Sequence, residues 1–178
     1  MRKSSFVLLP LLFGSAYGAE ALVAFSRGNN FGHESVGTFN SNMLSVQAYP
    51  AGKIKWLGVF YSFEMSNDVV ADDPFFASRR WQSHAIGPIL RLTRKSYEPW
   101  LASGLSIRSE SARIFLFDEV LLDSHRSRKS AFLECGVNIM IWEGLFVAPA
   151  VSLSGVSRPV PRVALGVGWR FKGKMGRR

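Results

Sequence analysis

From Ala19 onward, apolar residues recur at every second position, and no stretch holds a 3.6-residue period for long. This alternation predicts strands near 20–28, 38–49, 53–65, 81–93, 98–108, 130–142, 145–156 and 161–171. The connections alternate too. Short turns fall at 49–53, 95–99 and 143–144, while longer segments cover 29–37, 66–80 and 109–129, with a tighter one at 157–160. Short turns at one end and long loops at the other are what an up-and-down antiparallel meander produces.

The two faces of each strand decide what surrounds it. In the last segment Val163, Leu165, Val167, Trp169 and Phe171 oppose Arg162, Ala164, Gly166, Gly168 and Arg170. In the sixth, Leu133, Cys135, Val137, Ile139 and Ile141 oppose Phe132, Glu134, Gly136, Asn138 and Met140. The third sets Leu57, Val59, Tyr61, Phe63 and Met65 against Trp56, Gly58, Phe60, Ser62 and Glu64. A water-soluble ligand-binding barrel turns bulky apolar residues inward; a membrane barrel turns them out to lipid. The mixed face here repeats Gly and Ala between charges of both signs. A solvated surface has no need of those small residues, but the lumen of an eight-stranded barrel does, being barely wide enough for packed side chains. The expected fold is therefore all-β: an eight-stranded antiparallel up-and-down transmembrane β-barrel. Glu64, Arg91, Glu134, Arg162 and Arg170 face inward on this reading and form a lumen charge network. Neutralising Glu134 is then expected to strand an inward arginine and destabilise the barrel.

Some positions strain the pattern. The first two segments give only brief apolar stripes, at Ala21, Val23 and Phe25 and at Leu44, Val46 and Ala48. Pro88 and Pro149 each withhold a ladder donor, which predicts bulges or strand-end positions there. Trp56, Trp100, Trp142 and Trp169 cluster beside the short turns or the C-terminus. They form either an aromatic belt at one membrane interface or, since parity turns Trp56, Trp100 and Trp142 inward, plugs at the barrel mouth.

Composition adds an address. Arg2 and Lys3, the apolar run from Phe6 to Phe13 and the small residues Ala16 and Gly18 have the layout of a cleaved secretory signal over 1–18. Its apolar run is about half the ~20 residues a transmembrane helix needs. The domain plan is a signal at 1–18, a barrel at 19–171 and a basic periplasmic tail at 172–178. A single cysteine, Cys135, excludes a disulfide framework within the chain and a thiolate-rich zinc site. The net charge of +9 raises the question of nucleic acid, but export and a membrane band argue against it.

These residues resemble the small eight-stranded outer-membrane barrels of Gram-negative bacteria, the OmpX and OmpA transmembrane-domain type. The resemblance covers roughly 19–171 and is one of pattern. Its most specific piece is Gly166-Val167-Gly168-Trp169-Arg170-Phe171. This is similar to the C-terminal strand signal read by the outer-membrane barrel-assembly machinery, with Gly166, Trp169 and Phe171 as its marks. In that family the aromatic usually ends the chain; here the basic tail follows, and Ala164 stands where a polar residue is common. The resemblance implies an integral outer-membrane location, with both termini and the short turns periplasmic and the long loops outside.

Outside, the sequence offers basic clusters. Arg79, Arg80, Arg126, Arg128 and Lys129 fall near the outer rim, where lipopolysaccharide phosphates lie, and arginine binds phosphate bidentately. The 109–129 segment is also unusually apolar at Ile114–Phe117 and Val120–Leu122. It extends the barrel as a hairpin, offers a partner a sticky surface, or folds back over the lumen. Together with 66–80 it is the expected place for an extracellular partner.

Enzymatic readings are weaker. The lipid A deacylase family carries a His-x-Ser pair generally followed by Asn; His125-Arg126-Ser127 has the spacing, but Arg128 replaces the Asn. Palmitoyl-transferase barrels use an outer-rim His, Asp and Ser, for which His33, Ser35, Asp72 and Asp73 are candidates. His33, His84 and His125 have no second ligand at metal spacing, so no metal or cofactor is implied and no catalytic residue is assigned. The expected function is non-enzymatic, in membrane architecture or surface interaction, with a lipid A acyl-hydrolase or acyltransferase as the alternative.

Overall fold

A computed structural model describes residues 19–31, 38–50, 54–72, 75–92, 96–116, 119–155 and 160–173, with only the backbone described at 38–39, 68–72, 75–77, 79 and 116. Eight strands follow one another: β1 (Glu20–Phe31), β2 (Thr38–Tyr49), β3 (Leu57–Asp72), β4 (Phe75–Arg91), β5 (Tyr97–Leu116), β6 (Glu119–Met140), β7 (Leu145–Ser154) and β8 (Val160–Lys172). Each pairs with its sequence neighbours, and β8 pairs antiparallel with β1, so the sheet closes into a barrel without an edge. Closure is what lipid demands, because an open strand edge would leave its N–H and C=O groups unpaired in hydrocarbon. The seam from Glu20↔Lys172 to Asn30↔Arg162 runs without a shift. Past its end, the Gly173 amide donates to the Ala19 carbonyl at 2.9 Å.

The expected segregation of faces is realised. Val59, Ile86, Leu105, Val163, Leu165 and Val167 are outward and exposed, whereas Phe60, Ala85, Ala102, Phe146, Ala148 and Ala164 are buried in the lumen. On β1 the outward stripe is short: Phe25 is followed on that face by exposed Arg27 and Asn29. Cys135 is exposed on the outward face, with its thiol toward lipid.

Three expectations need revision. Pro88 and Pro149 lie inside β4 and β7, in register with Val59 and Leu165, and not at bulges or strand ends. Their missing donors instead interrupt the ladder on one side: β4–β5 pairing skips from Ile86↔Leu105 to Ile89↔Ala102, and β6–β7 from Gly136↔Ala150 to Ile139↔Val147, with no change of register. The single register shift between β5 and β6 is at Ile114/Phe115. Second, 66–80 and 109–129 are mostly not loops: β3–β4 and β5–β6 continue as paired hairpins to Asp72↔Phe75 and Leu116↔Glu119. At 16, 17, 20 and 22 residues these strands exceed the ~9–11 needed to cross a bilayer and project beyond it. Third, Trp56 and Trp142 lie outside the strands and are 55% and 77% exposed, so strand parity does not turn them inward.

Residues 1–18, 32–37 and 174–178 lie outside the described residues, and with them the signal segment, His33, Ser35 and most of the basic tail.

The outward band yields a direct test. Val167, between Phe25 and Val147 on the neighbouring strands, is the middle residue of the outward apolar stripe from Val163 to Phe171. Val167→Arg should cost about 2–4 kcal/mol of folding free energy in bilayers. Full tolerance of the arginine in a bilayer unfolding titration would mean that this face does not meet lipid.

Candidate functional site

The lumen is layered along its length. Going up from the short-turn end, the inward positions of β5 are Glu98, Trp100, Ala102, Gly104 and Ser106; those of β1 are Glu20, Leu22, Ala24, Ser26, Gly28 and Asn30. Charge comes first, then bulk, then small polar groups.

The first layer is a ring of alternating charge. Arg91 Nη1 lies 3.1 Å from Glu20 Oε2 and 3.8 Å from Glu98 Oε2. Arg170 Nε lies 2.9 Å from Glu20 Oε1, and its Nη2 meets Glu98. Two arginines and two glutamates from β1, β4, β5 and β8 thus form a closed square. The Arg91 guanidinium also stands 3.8 Å above the Tyr49 ring. From there a chain of hydrogen bonds crosses to β6: Tyr49 Oη donates to Gln47 Oε1, Asn138 Nδ2 donates to the same oxygen at 3.0 Å, and Trp100 Nε1 donates to Asn138 Oδ1. Each charge meets an opposite one, the condition under which ions persist out of water.

Above it sits an aromatic layer. Phe60 packs on Trp100 at 5.7 Å and on Phe132 at 5.8 Å between ring centroids. Glycine makes the room: a Cβ on Gly136 would lie 2.7 Å from the Trp100 ring, and one on Gly168 would collide with Phe146. Trp100 is therefore a lumen plug. Trp56, Trp142 and Trp169 remain exposed near the short-turn end, in the position of an interfacial belt.

The next polar group is Arg162, whose Nε lies 2.8 Å from Glu64 Oε1 and also donates to Ser41 Oγ at 3.2 Å. Glu64 accepts further hydrogen bonds from Ser41 and Asn30. Of the five charges expected in the lumen, Arg91, Arg162, Arg170 and Glu64 have ion-pair partners. Glu134 is different: it is 4% exposed and forms no hydrogen bond or ion pair among the described residues. Arg162 is held by Glu64, so neutralising Glu134 strands no arginine. Sequence reasoning missed Glu20 and Glu98, which complete the lower ring.

The basic residues of the rim divide between two faces. Arg80 and Lys129 stand on the outward register, with His84, Ile107 and Lys129 in one cross-strand row. Arg126 and Arg128 alternate with them and belong to the mouth-facing register; both are exposed. The side chain of Arg79 lies outside the described residues. On β8, Gly166 faces the lumen while Trp169 and Phe171 face outward.

The His-x-Ser pair lies on β6 in the projecting hairpin. His125 Nε2 is 3.4 Å from Ser109 Oγ, and Asp123 pairs with Arg113 at 3.3 Å. Neither the acid nor Ser127 bonds to His125 among the described residues, so no proton relay is assembled there. Of the second candidate set, Asp73 and the Asp72 side chain lie outside the described residues. No group of three or more His, Cys, Asp or Glu able to hold a metal occurs among the described residues.

The upper ion pair can be tested by substitution. Arg162→Met leaves the partly buried Glu64 with its cation gone and should cost up to about 3–5 kcal/mol. Combining it with Glu64→Met should recover most of that loss in a urea unfolding titration. Equal losses in the single and double variants would show that the pair is not coupled.

No family model matches the chain, and no curated protein matches it in sequence. Solved structures do. Ail, the attachment invasion locus protein of Yersinia pestis, in complex with the heparin analogue sucrose octasulfate, is similar with a TM-score of 0.64 at 16% identity, covering 87% of this chain and 99% of that one. A major outer membrane protein from Thermus thermophilus gives 0.64 at 13% identity, covering 87% and 100%. The N-terminal β-barrel domain of Pseudomonas aeruginosa OprF gives 0.56 at 12% identity, covering 87% and 98%. The chain has the fold of the small, integral, eight-stranded bacterial outer-membrane barrels that its sequence resembles.

Proposed function

We propose that this protein is a non-enzymatic barrel of the bacterial outer membrane, exported by the signal at 1–18, whose projecting hairpins make contact with anionic saccharide at the cell surface. The observation that carries the reading is the change of character along the outward face of β4–β6. Ile86, Leu105 and Ala131 form one cross-strand row; His84, Ile107 and Lys129 form the next; Arg80, Ser111 and His125 lie two rows higher. Apolar side chains give way to cations and hydroxyls within about 7–20 Å of strand, the depth at which lipid passes into headgroup. Arg80 and Lys129 there suit lipopolysaccharide phosphates. Arg126 and Arg128, turned to the mouth, suit a polyanion arriving from outside, and the sulfated ligand in the Ail complex is of that chemistry. The exposed Val120, Leu121 and Leu122 at the hairpin end add an apolar surface for an extracellular partner. Trp169 and Phe171 on the last strand serve recognition by the assembly machinery.

Two measurements check this. Replacing Arg80 and Lys129 by Gln should lower lipopolysaccharide retained through purification several-fold, with a salt-sensitive residue of binding. Arg126→Gln with Arg128→Gln should leave it unchanged; equal losses in both pairs would contradict the division of faces. Lipid A from cells with and without the protein should show the same acyl-chain masses. A mass shift that vanishes with Ser127→Ala would establish the enzymatic alternative.

A further inference from the structure

The upper lumen contains a cavity of about 40 Å³, and nine of its fourteen lining residues carry a side-chain oxygen. Ser62, Ser106, Ser130, Ser152 and Glu134 all line it. Ser106 and Ser130 bond to each other at 2.8 Å. Ser62, Ser152 and Glu134 form no hydrogen bond among the described residues, and Ser62 and Glu134 are 5% and 4% exposed. A carboxyl group buried this far without a partner is costly, and the cost points to something that fills the cavity.

Charge narrows the occupant. Arg162 is bound to Glu64, which also accepts from Ser41 and Asn30, so this trio of Glu64, Arg162 and Glu134 retains one uncompensated negative charge. Arg108, a cation that does line the cavity, has its guanidinium 4.1 Å from the centre of the Trp81 ring. It is six residues along β5 from Ala102, the cross-strand partner of Glu134, which is about 20 Å of strand and too far for pairing. Ser152 is the neighbour of Glu134 on the other side and pairs in turn with Arg162.

We propose that this cavity is a binding site for one small monovalent cation, such as sodium, potassium or ammonium, with the Glu134 carboxylate as its charged ligand and the Ser152 and Ser62 hydroxyls beside it. Oxygen ligands of this kind suit hard cations. A single uncompensated charge selects a monovalent ion, because a divalent one would leave Glu64, Arg162 and Glu134 with a net positive charge in the lumen. The volume holds about three water-sized groups, enough for an ion that keeps one or two waters.

The test uses the full chain folded in detergent, at constant pH and constant ionic strength. Sodium, potassium or ammonium chloride is titrated against N-methylglucamine chloride, whose cation is too large for the cavity. The thermal unfolding midpoint should rise and saturate with at least one small cation, and Glu134→Gln should abolish that rise. Should Glu134→Gln fail to fold, Ser152→Ala and Ser62→Ala decide: the titration should move to several-fold higher cation concentration in at least one. The same midpoint in every salt overturns the proposal, as does an unchanged titration in all folded variants. A midpoint that ignores cations but climbs as pH falls also overturns it, showing that a proton occupies Glu134.

Discussion

An eight-stranded barrel in lipid has no solvent for its charged side chains except one another. Outside is hydrocarbon, and inside the lumen is too narrow for bulk water, so an inward charge is costly unless an opposite charge stands beside it. The square formed by Glu20, Arg91, Glu98 and Arg170 is the fullest answer to that constraint. Its four corners come from four strands, and the Tyr49–Gln47–Asn138–Trp100 chain brings in two more. Strands far apart in sequence, such as β1 and β4, are thereby fixed across the barrel as well as along the ladder.

The remaining layers follow from the space those charges leave. Glycine on the facing wall makes room for large rings, as at Gly136 against Trp100 and Gly168 against Phe146. Above the rings the wall turns to serine, and the strands outgrow the membrane into two projecting hairpins. The proposed surface-contact role rests on this layout, a closed lower half beneath a polar upper half. On the proposed function, the chemistry offered to the outside is concentrated on β4–β6, with Arg80 and Lys129 on the outward register and Arg126 and Arg128 on the mouth-facing one.

Much of this is legible in the sequence because a period of two assigns faces whenever one face is lipid. Val163 through Phe171 against Arg162 through Arg170 is enough to orient β8. The signal fades where both faces meet water: beyond Met65 and Ile107 neither face need be apolar, and the paired hairpins read as loops. Parity also misleads outside a ladder, where it wrongly turns Trp56 and Trp142 inward. Glu20 and Glu98 stand at the first or second residue of their strands, beside turns, where the alternation has barely begun. Charge balance holds a clue to them: Arg91, Arg162 and Arg170 outnumber Glu64 and Glu134, so a further acid is needed. What no pattern can reveal is pairing across the lumen, which joins Arg162 to Glu64 and leaves Glu134 facing the cavity.

The most direct measurement of the central claim is a double-mutant cycle on Glu98 and Arg170, read by reversible unfolding in lipid bilayers. Each single change, Glu98→Gln or Arg170→Met, leaves part of the buried square uncompensated and should destabilise the barrel, with a coupling between them of about 1–3 kcal/mol. Additive losses with no coupling would mean that the inward charges are not holding one another, and that the lumen is not built in charge-paired layers.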